Sequence, residues 1–365
     1  MVLQNRQFTL FVELLQISLG VKLEFVEAPS EEEWRELYRM GKKQTLLGVA
    51  YIGIERLPAS QRPPRKLLFQ WYGVAEQIKR NNDELNHKAL VISQQFRKDG
   101  FRNIILKGAS VTPYYKVAQL EQYRTPGDVD IWLDASRKSI LAYVRRHVQN
   151  SKVSYHHVDF CKVEGIDVEV HFMPSWMNCY FTNKKLQKYF EQYKEALFGE
   201  YDHRPDEIPG PTLAFNRVYI LVHIYRHLFQ EGIGLRQLMD YYFVLRQGFT
   251  EEERKETMRV FRMLKMDRFV GAVMWVLQTV FGMEEKYLLA SADEKEGRFL
   301  LNEVLMAGNF GQYDEHLQDK LQSSVLSFKI HRALRVFRFL ISYPSEVLWS
   351  PLFKVWHLIW RMRQG

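Results

Sequence analysis

Along the first hundred residues the apolar positions recur at three- and four-residue steps, the period of a helix with one buried face. Ser30 followed by Glu33 reads as a capping box, and the run Glu31-Glu32-Glu33 suits a helix N-terminus. Pro63-Pro64 opens a long helical pattern whose buried face is Leu67, Leu68, Trp71, Val74, Ala75 and Ile78; Asp99-Gly100 ends it. The period then shortens. Phe101 to Leu106 is a strand-like run ending at Lys107-Gly108, and a helical stretch is expected from there to about Tyr123. After the turn Thr125-Pro126-Gly127, the segment Asp128-Val129-Asp130-Ile131-Trp132-Leu133 alternates like a strand. Ser136 caps a helix running to about Asn150. Two further strands, Val153 to Val163 and Ile166 to Phe172, join through Glu164-Gly165 as a hairpin.

Beyond Pro174 the helical period returns, with four or five packed helices from Thr212 to about Ala307. Two amphipathic basic helices broken at Pro344 follow. The pattern predicts an α+β fold: a mixed β-sheet with helices, flanked by an N-terminal helical region and a C-terminal helical bundle. The expected divisions are 1–97, 98–205, 206–320 and a basic tail 321–365.

Composition narrows the class. With 46% hydrophobic and 26% charged residues the chain is neither disordered nor fibrous. Two cysteines, Cys161 and Cys179, exclude a disulfide scaffold and point to a reducing compartment. The start, Met1 to Gln7, has no secretory pattern, and the longest apolar stretch, Phe269 to Met283, falls short of the roughly 20 residues that span a bilayer. The expectation is a soluble cytoplasmic protein. A net charge of +8 permits binding to nucleotide phosphates, nucleic acid or an anionic membrane.

The candidate chemistry centres on Asp128 and Asp130. Two apart on a strand, they project from one face, while Val129, Ile131 and Leu133 face a core. Adjacent carboxylates repel, and a divalent cation neutralises them. Asp167, Glu169 and His171 share one face of the later strand, so Glu169 is expected to join the two aspartates. Three carboxylates can hold two Mg²⁺ (or Mn²⁺) ions for an in-line phosphoryl displacement. Lys107-Gly108-Ala109-Ser110, at a strand end opening a helix, suits a phosphate turn. Arg124 sits four residues before Asp128, where it can bind phosphate or pair with one of the same aspartates.

Leu106-Lys107-Gly108-Ala109, Arg124, Gly127-Asp128-Val129-Asp130-Ile131 and Val168-Glu169-Val170-His171 together resemble the motifs of the uncharacterised bacterial nucleotidyltransferase family, which is similar to the DNA polymerase beta-like nucleotidyltransferase superfamily. The resemblance runs from about Lys98 to Leu245 and takes in His223, His227, Arg236 and Asp240. It implies a nucleotidyltransferase-type sheet, with Asp128, Asp130 and Glu169 as catalytic metal-binding carboxylates and Gly108 with its neighbours as the phosphate turn. It implies ATP or another nucleoside triphosphate as substrate, and an acceptor hydroxyl on a small molecule, sugar, protein or RNA.

His223 and His227, four apart on one helix, share a face. That spacing suits zinc, but no third ligand follows at a known spacing. They are expected to line the cleft opposite the carboxylates, with Arg236 and Asp240 on the next helix, orienting substrate or phosphate. In the tail, seven basic residues against the single acid Glu346 give +6 of the chain's +8. Interleaved aromatics let such helices dock on the body, lie weakly on an anionic membrane, or follow RNA. A catalytically degenerate protein that binds nucleotide, RNA or a partner is the alternative to an enzyme.

Overall fold

The computed structural model describes residues 5–160, 165–200, 206–308 and 336–362. The chain opens with helices α1 (Arg6–Ser18), α2 (Glu31–Lys43) and α3 (Leu47–Arg56), then the long α4 (Arg65–Lys98). The capping box forms: Ser30 Oγ accepts from the Glu33 amide, and the Glu33 carboxylate accepts from the Ser30 amide at 2.8 Å. At 34 residues, α4 is long enough to serve two cores. Its first half buries Trp71, Ala75 and Ile78 against the N-terminal helices. Its second half buries Leu85, Ala89, Ile92 and Phe96 against the sheet.

The sheet comprises β1 (Asn103–Ile105), β2 (Val129–Leu133), β3 (His157–Asp159) and β4 (Val168–His171), in the order β1-β2-β4-β3. Only β2 and β4 run parallel; the two outer pairings are antiparallel. Helix α5 (Arg137–His147), capped by Ser136, joins α4 on one face, where Val129, Ile131, Leu133, Val168 and Val170 are buried. Helices α6 (Tyr180–Gly199) and α7 (Leu213–Gln230) cover the inner end of the other face, where Trp132 packs 4.9 Å from Phe198 and 6.3 Å from Phe215. The outer end of that face carries Asp130 and Glu169.

Helices α8 (Leu235–Arg246), α9 (Glu251–Met263), α10 (Asp267–Phe281) and α11 (Glu294–Ala307) complete the bundle. The apolar stretch Phe269–Met283 is the buried α10, apolar on nearly every side as an interior helix is. No helix of the described residues is long and apolar enough to cross a membrane.

Three expectations change. The stretch after Lys107 is no α-helix but three 3₁₀ turns, Gly108–Ser110, Thr112–Ala118 and Glu121–Tyr123. Pro113 withholds an amide, Gln119 turns left-handed at φ 58°, and Asn82 draws the carbonyls of Gln122 and Arg124 out of any helical ladder at 2.8 and 2.6 Å. The strand expected from Val153 pairs regularly only over His157–Asp159, with an isolated bridge between Val153 and Val158; the hairpin joint at Glu164 lies outside the described residues. Pro344 starts a helix, α12 (Pro344–Met362), rather than merely breaking one; most of the helix expected before it also lies outside them. Helix α12 docks on the body. Buried Glu346 accepts from the amides of Asn178 and Cys179 at the start of α6, at 2.7 and 3.2 Å. Phe353 stacks on Trp176 at 4.1 Å.

Candidate active site

Strand β1 delivers Lys107 beside the outer end of β2. Its ammonium lies 2.8 Å from Asp128 Oδ1 and 2.7 Å from Asp130 Oδ2. One cation thus bridges the two like charges that the alternation of β2 forces together, offsetting one of them. Burial alone disfavours the ammonium, but the two aspartates outweigh it and raise the Lys107 pKa. Asp130 is only 1% exposed. Burial would raise its pKa; Lys107 and His171 reverse that and hold it below the ordinary range.

Register brings the third acid in. Asp130 pairs directly with Glu169 across β2 and β4. His171 Nε2 sits between them, 2.9 Å from Asp130 Oδ1 and 3.4 Å from Glu169 Oε2. Burial works against the imidazolium, yet these two carboxylates push the His171 pKa up to about 9. Glu169 is driven in the other direction. Burial would raise its pKa, but hydrogen bonds from His157 and His171 lower it well below the carboxylate range.

The polar chain continues past Glu169. His157 Nδ1 is 2.9 Å from Glu169 Oε2 and 3.2 Å from His156 Nε2. The guanidinium of Arg226 on α7 reaches His156 Nε2 at 2.6 Å and His227 Nε2 at 2.7 Å. Burial pushes His156 and His223 well below the usual histidine pKa, so both stay neutral. Arg226 is half-buried without a carboxylate partner among the described residues, and its Nε and His223 Nδ1 lack hydrogen-bond partners there. A half-buried cation facing neutral imidazoles is poised for an anion.

These groups line a cleft of about 660 Å³. One wall is the sheet end with Lys107, Asp128, Asp130 and Glu169, and another is α7 with His223, Arg226 and His227. Helix α12 supplies a third with Phe353, Lys354 and His357. His171 stands behind the carboxylates.

Gly108, Arg124, Arg236 and Asp240 line, with Gly127, a narrow recess next to Lys107. Arg124 pairs with neither Asp128 nor Asp130. It makes a buried bidentate pair with Asp240 at 2.7 and 2.9 Å, and Tyr115 adds a hydrogen bond to Asp240 at 2.6 Å. Arg236 donates to the Thr125 carbonyl at 2.9 Å, fixing the loop that leads into Asp128. Gly108 turns at φ +64°, a conformation that favours glycine. Ala109 and Ser110 are buried and line neither space, and the turn they form is too short to supply a helix dipole.

The sequence does not single out His156, His157, Asp159 or Arg226 for the site, nor the place of α12 as a wall of the cleft. The run His156-His157-Val158-Asp159 carried a signal in its paired histidines. Arg226 stands between His223 and His227, whose four-residue spacing is the more conspicuous feature of that helix.

The carboxylates fit a hard divalent cation. Asp130 and Glu169 offer ligand oxygens within 4.8 Å of one another, and Asp130 Oδ2 is buried with only an ion pair, not a hydrogen bond, to satisfy it.

A family model described as "Uncharacterised nucleotidyltransferase" matches residues 30–282. The match takes in α2 through α10 and therefore every residue of the sheet and of the α7 wall. No curated protein and no solved structure matches the chain.

Proposed function

Because the chain belongs to the uncharacterised nucleotidyltransferase family, we propose that it transfers a nucleoside monophosphate from a nucleoside triphosphate to an acceptor hydroxyl. Asp128, Asp130 and Glu169 would hold Mg²⁺ or Mn²⁺, which when bound supplies charge neutralisation and activation of the hydroxyl. The register pair Asp130–Glu169 is the observation that carries this reading.

The chain's own groups have distinct work. Lys107 and Gly108 would meet the phosphates next to the carboxylates, and Arg226 offers a fork of donors from the facing wall. The acceptor oxygen bonds to the α-phosphorus as the bond to the bridging oxygen breaks and pyrophosphate leaves. Glu169, backed by His157 and Asp159, would orient the hydroxyl, whose proton leaves to the water of the cleft. Preorganised charges in a half-enclosed cleft supply most of the acceleration. Arg124, Asp240 and Arg236 hold the loop that positions Asp128.

Isothermal titration with ATP, GTP, CTP and UTP in Mg²⁺, paired with a pyrophosphate-release assay across small-molecule, sugar, protein and RNA acceptors, tests the proposal. Binding that Asp130→Asn and Glu169→Gln abolish supports it; binding by no nucleotide overturns it. A second reading, a degenerate protein that binds nucleotide without turnover, is favoured by one observation: Lys107 already bridges Asp128 and Asp130. Nucleotide binding indifferent to Mg²⁺, with no pyrophosphate released, would select it.

A further inference from the structure

Beside the carboxylates lies a donor set of different chemistry. His156 Nε2, His157 Nδ1 and Glu169 Oε2 all fall within 4.8 Å of one another. The first two are 3.2 Å apart and the last two 2.9 Å. A four-coordinate zinc ion with bonds of about 2.0–2.2 Å sets its donors roughly 3.3–3.5 Å apart, so small shifts, with His157 giving up the Nδ1 proton that now faces Glu169, bring these atoms toward one face of a tetrahedron. The outer nitrogen of His157 is 3.5 Å from Asp159 Oδ1. A carboxylate behind an imidazole is the arrangement that orients metal-ligating histidines. Two imidazoles and one carboxylate suit zinc, whereas magnesium prefers oxygen throughout.

We infer that His156, His157 and Glu169 form a Zn²⁺ site adjoining the aspartates, with its fourth coordination position open to the cleft and with Arg226 as its competitor. The competition follows from geometry. Arg226 Nη1 lies 2.6 Å from His156 Nε2, and a nitrogen lone pair that accepts an N–H cannot also ligate a metal. Arg226 breaks no carboxylate pair on leaving, and an anion in the cleft offers it a better partner than an imidazole. Zinc at His156 and Arg226 in its present seat therefore exclude each other. The inference does not depend on nucleotidyl transfer.

Zinc titration of the chelator-stripped full-length protein, without nucleotide, tests it. The expected result is one Zn²⁺ per chain, with affinity falling about tenfold or more in His156→Gln, His157→Gln and the outlying Asp159→Asn. Arg226→Met should bind more tightly, and Asp128→Asn within about threefold of the unaltered protein, since Asp128 lies outside the donor set. Cobalt substitution should give the visible absorption of a four-coordinate ion, lost in His157→Gln. Circular dichroism melts identify any variant that fails to fold, and Asp159→Asn keeps the test open if a histidine variant does. The inference falls if zinc does not bind, if His157→Gln binds as well as the unaltered protein, or if Asp128→Asn weakens binding as much as His157→Gln. Unchanged affinity in Arg226→Met overturns the competition. Zinc binding without nucleotide turnover would sink the proposed function alone; turnover without zinc binding would sink this inference alone.

Discussion

Asp130 and Glu169 are register partners on adjoining parallel strands, flanked by the apolar pairs Val129–Val168 and Ile131–Val170. The apolar pairs bury one face of the sheet, so the acids must both emerge on the other. A slip of one residue would bury the carboxylates and expose the valines, which makes the juxtaposition as secure as the core itself.

Lys107 is the only cation within ion-pair distance of Asp128 among the described residues, and it serves Asp130 as well. Lys107→Met leaves Asp128 without a counter-charge and Asp130 with only His171, at a cost of about 3 kcal/mol. Thermal melts should show a large loss in chelator that added Mg²⁺ partly restores. A loss indifferent to Mg²⁺ would mean that the carboxylates hold no cation.

His171 sets a pH dependence. Its pKa in the folded protein is about 9, against an ordinary 6.5, because Asp130 and Glu169 outweigh the effect of burial. Below the ordinary value both folded and unfolded chains are protonated and the stabilisation is complete. Between the two values only the folded chain keeps the proton, so the contribution fades as pH rises through about 9. The melting temperature of metal-free protein should fall from pH 7 to 10 more steeply than that of His171→Gln; parallel curves would refute the assignment.

Glu346 behaves similarly for a different reason. Burial raises its pKa to about 7, and the Asn178 and Cys179 amides only partly offset this. The folded chain holds the proton longer than the unfolded one. The contribution is therefore complete below about 4.5 and lost as pH rises through about 7. Glu346→Gln should melt higher than the unaltered protein at pH 8, with the gap closing by pH 5. A gap that widens toward pH 5 would contradict the account.

Much of this was legible because it is local. Helix starts at Ser30, Pro64, Ser136 and Thr212 announce themselves through caps and prolines, and the alternation of β2 fixes which face carries Asp128 and Asp130. What was hidden is long-range. Nothing near Arg124 says that its partner is Asp240, more than a hundred residues away. Nothing near Phe353 says that it stacks on Trp176 and walls the cleft. The turns after Gly108 read as helix in the sequence, while the Asn82 amide that draws their carbonyls away comes from α4.

Glu169→Gln keeps the size of the side chain and removes its charge. If Glu169 helps hold the ion that activates the acceptor, pyrophosphate release should fall by about a thousandfold, the equivalent of roughly 4 kcal/mol. A loss under tenfold would remove Glu169 from the catalytic set.

In the proposed reaction Asp128, Asp130 and Glu169 hold a divalent cation against a triphosphate. Anomalous scattering from a crystal grown with Mn²⁺ and a non-hydrolysable nucleoside triphosphate would reveal that ion itself. The predicted result is manganese bound by these three carboxylates, with Lys107 released to the phosphates. Nucleotide seated elsewhere, or bound in the cleft with Lys107 still bridging Asp128 and Asp130 and no manganese on them, would contradict it.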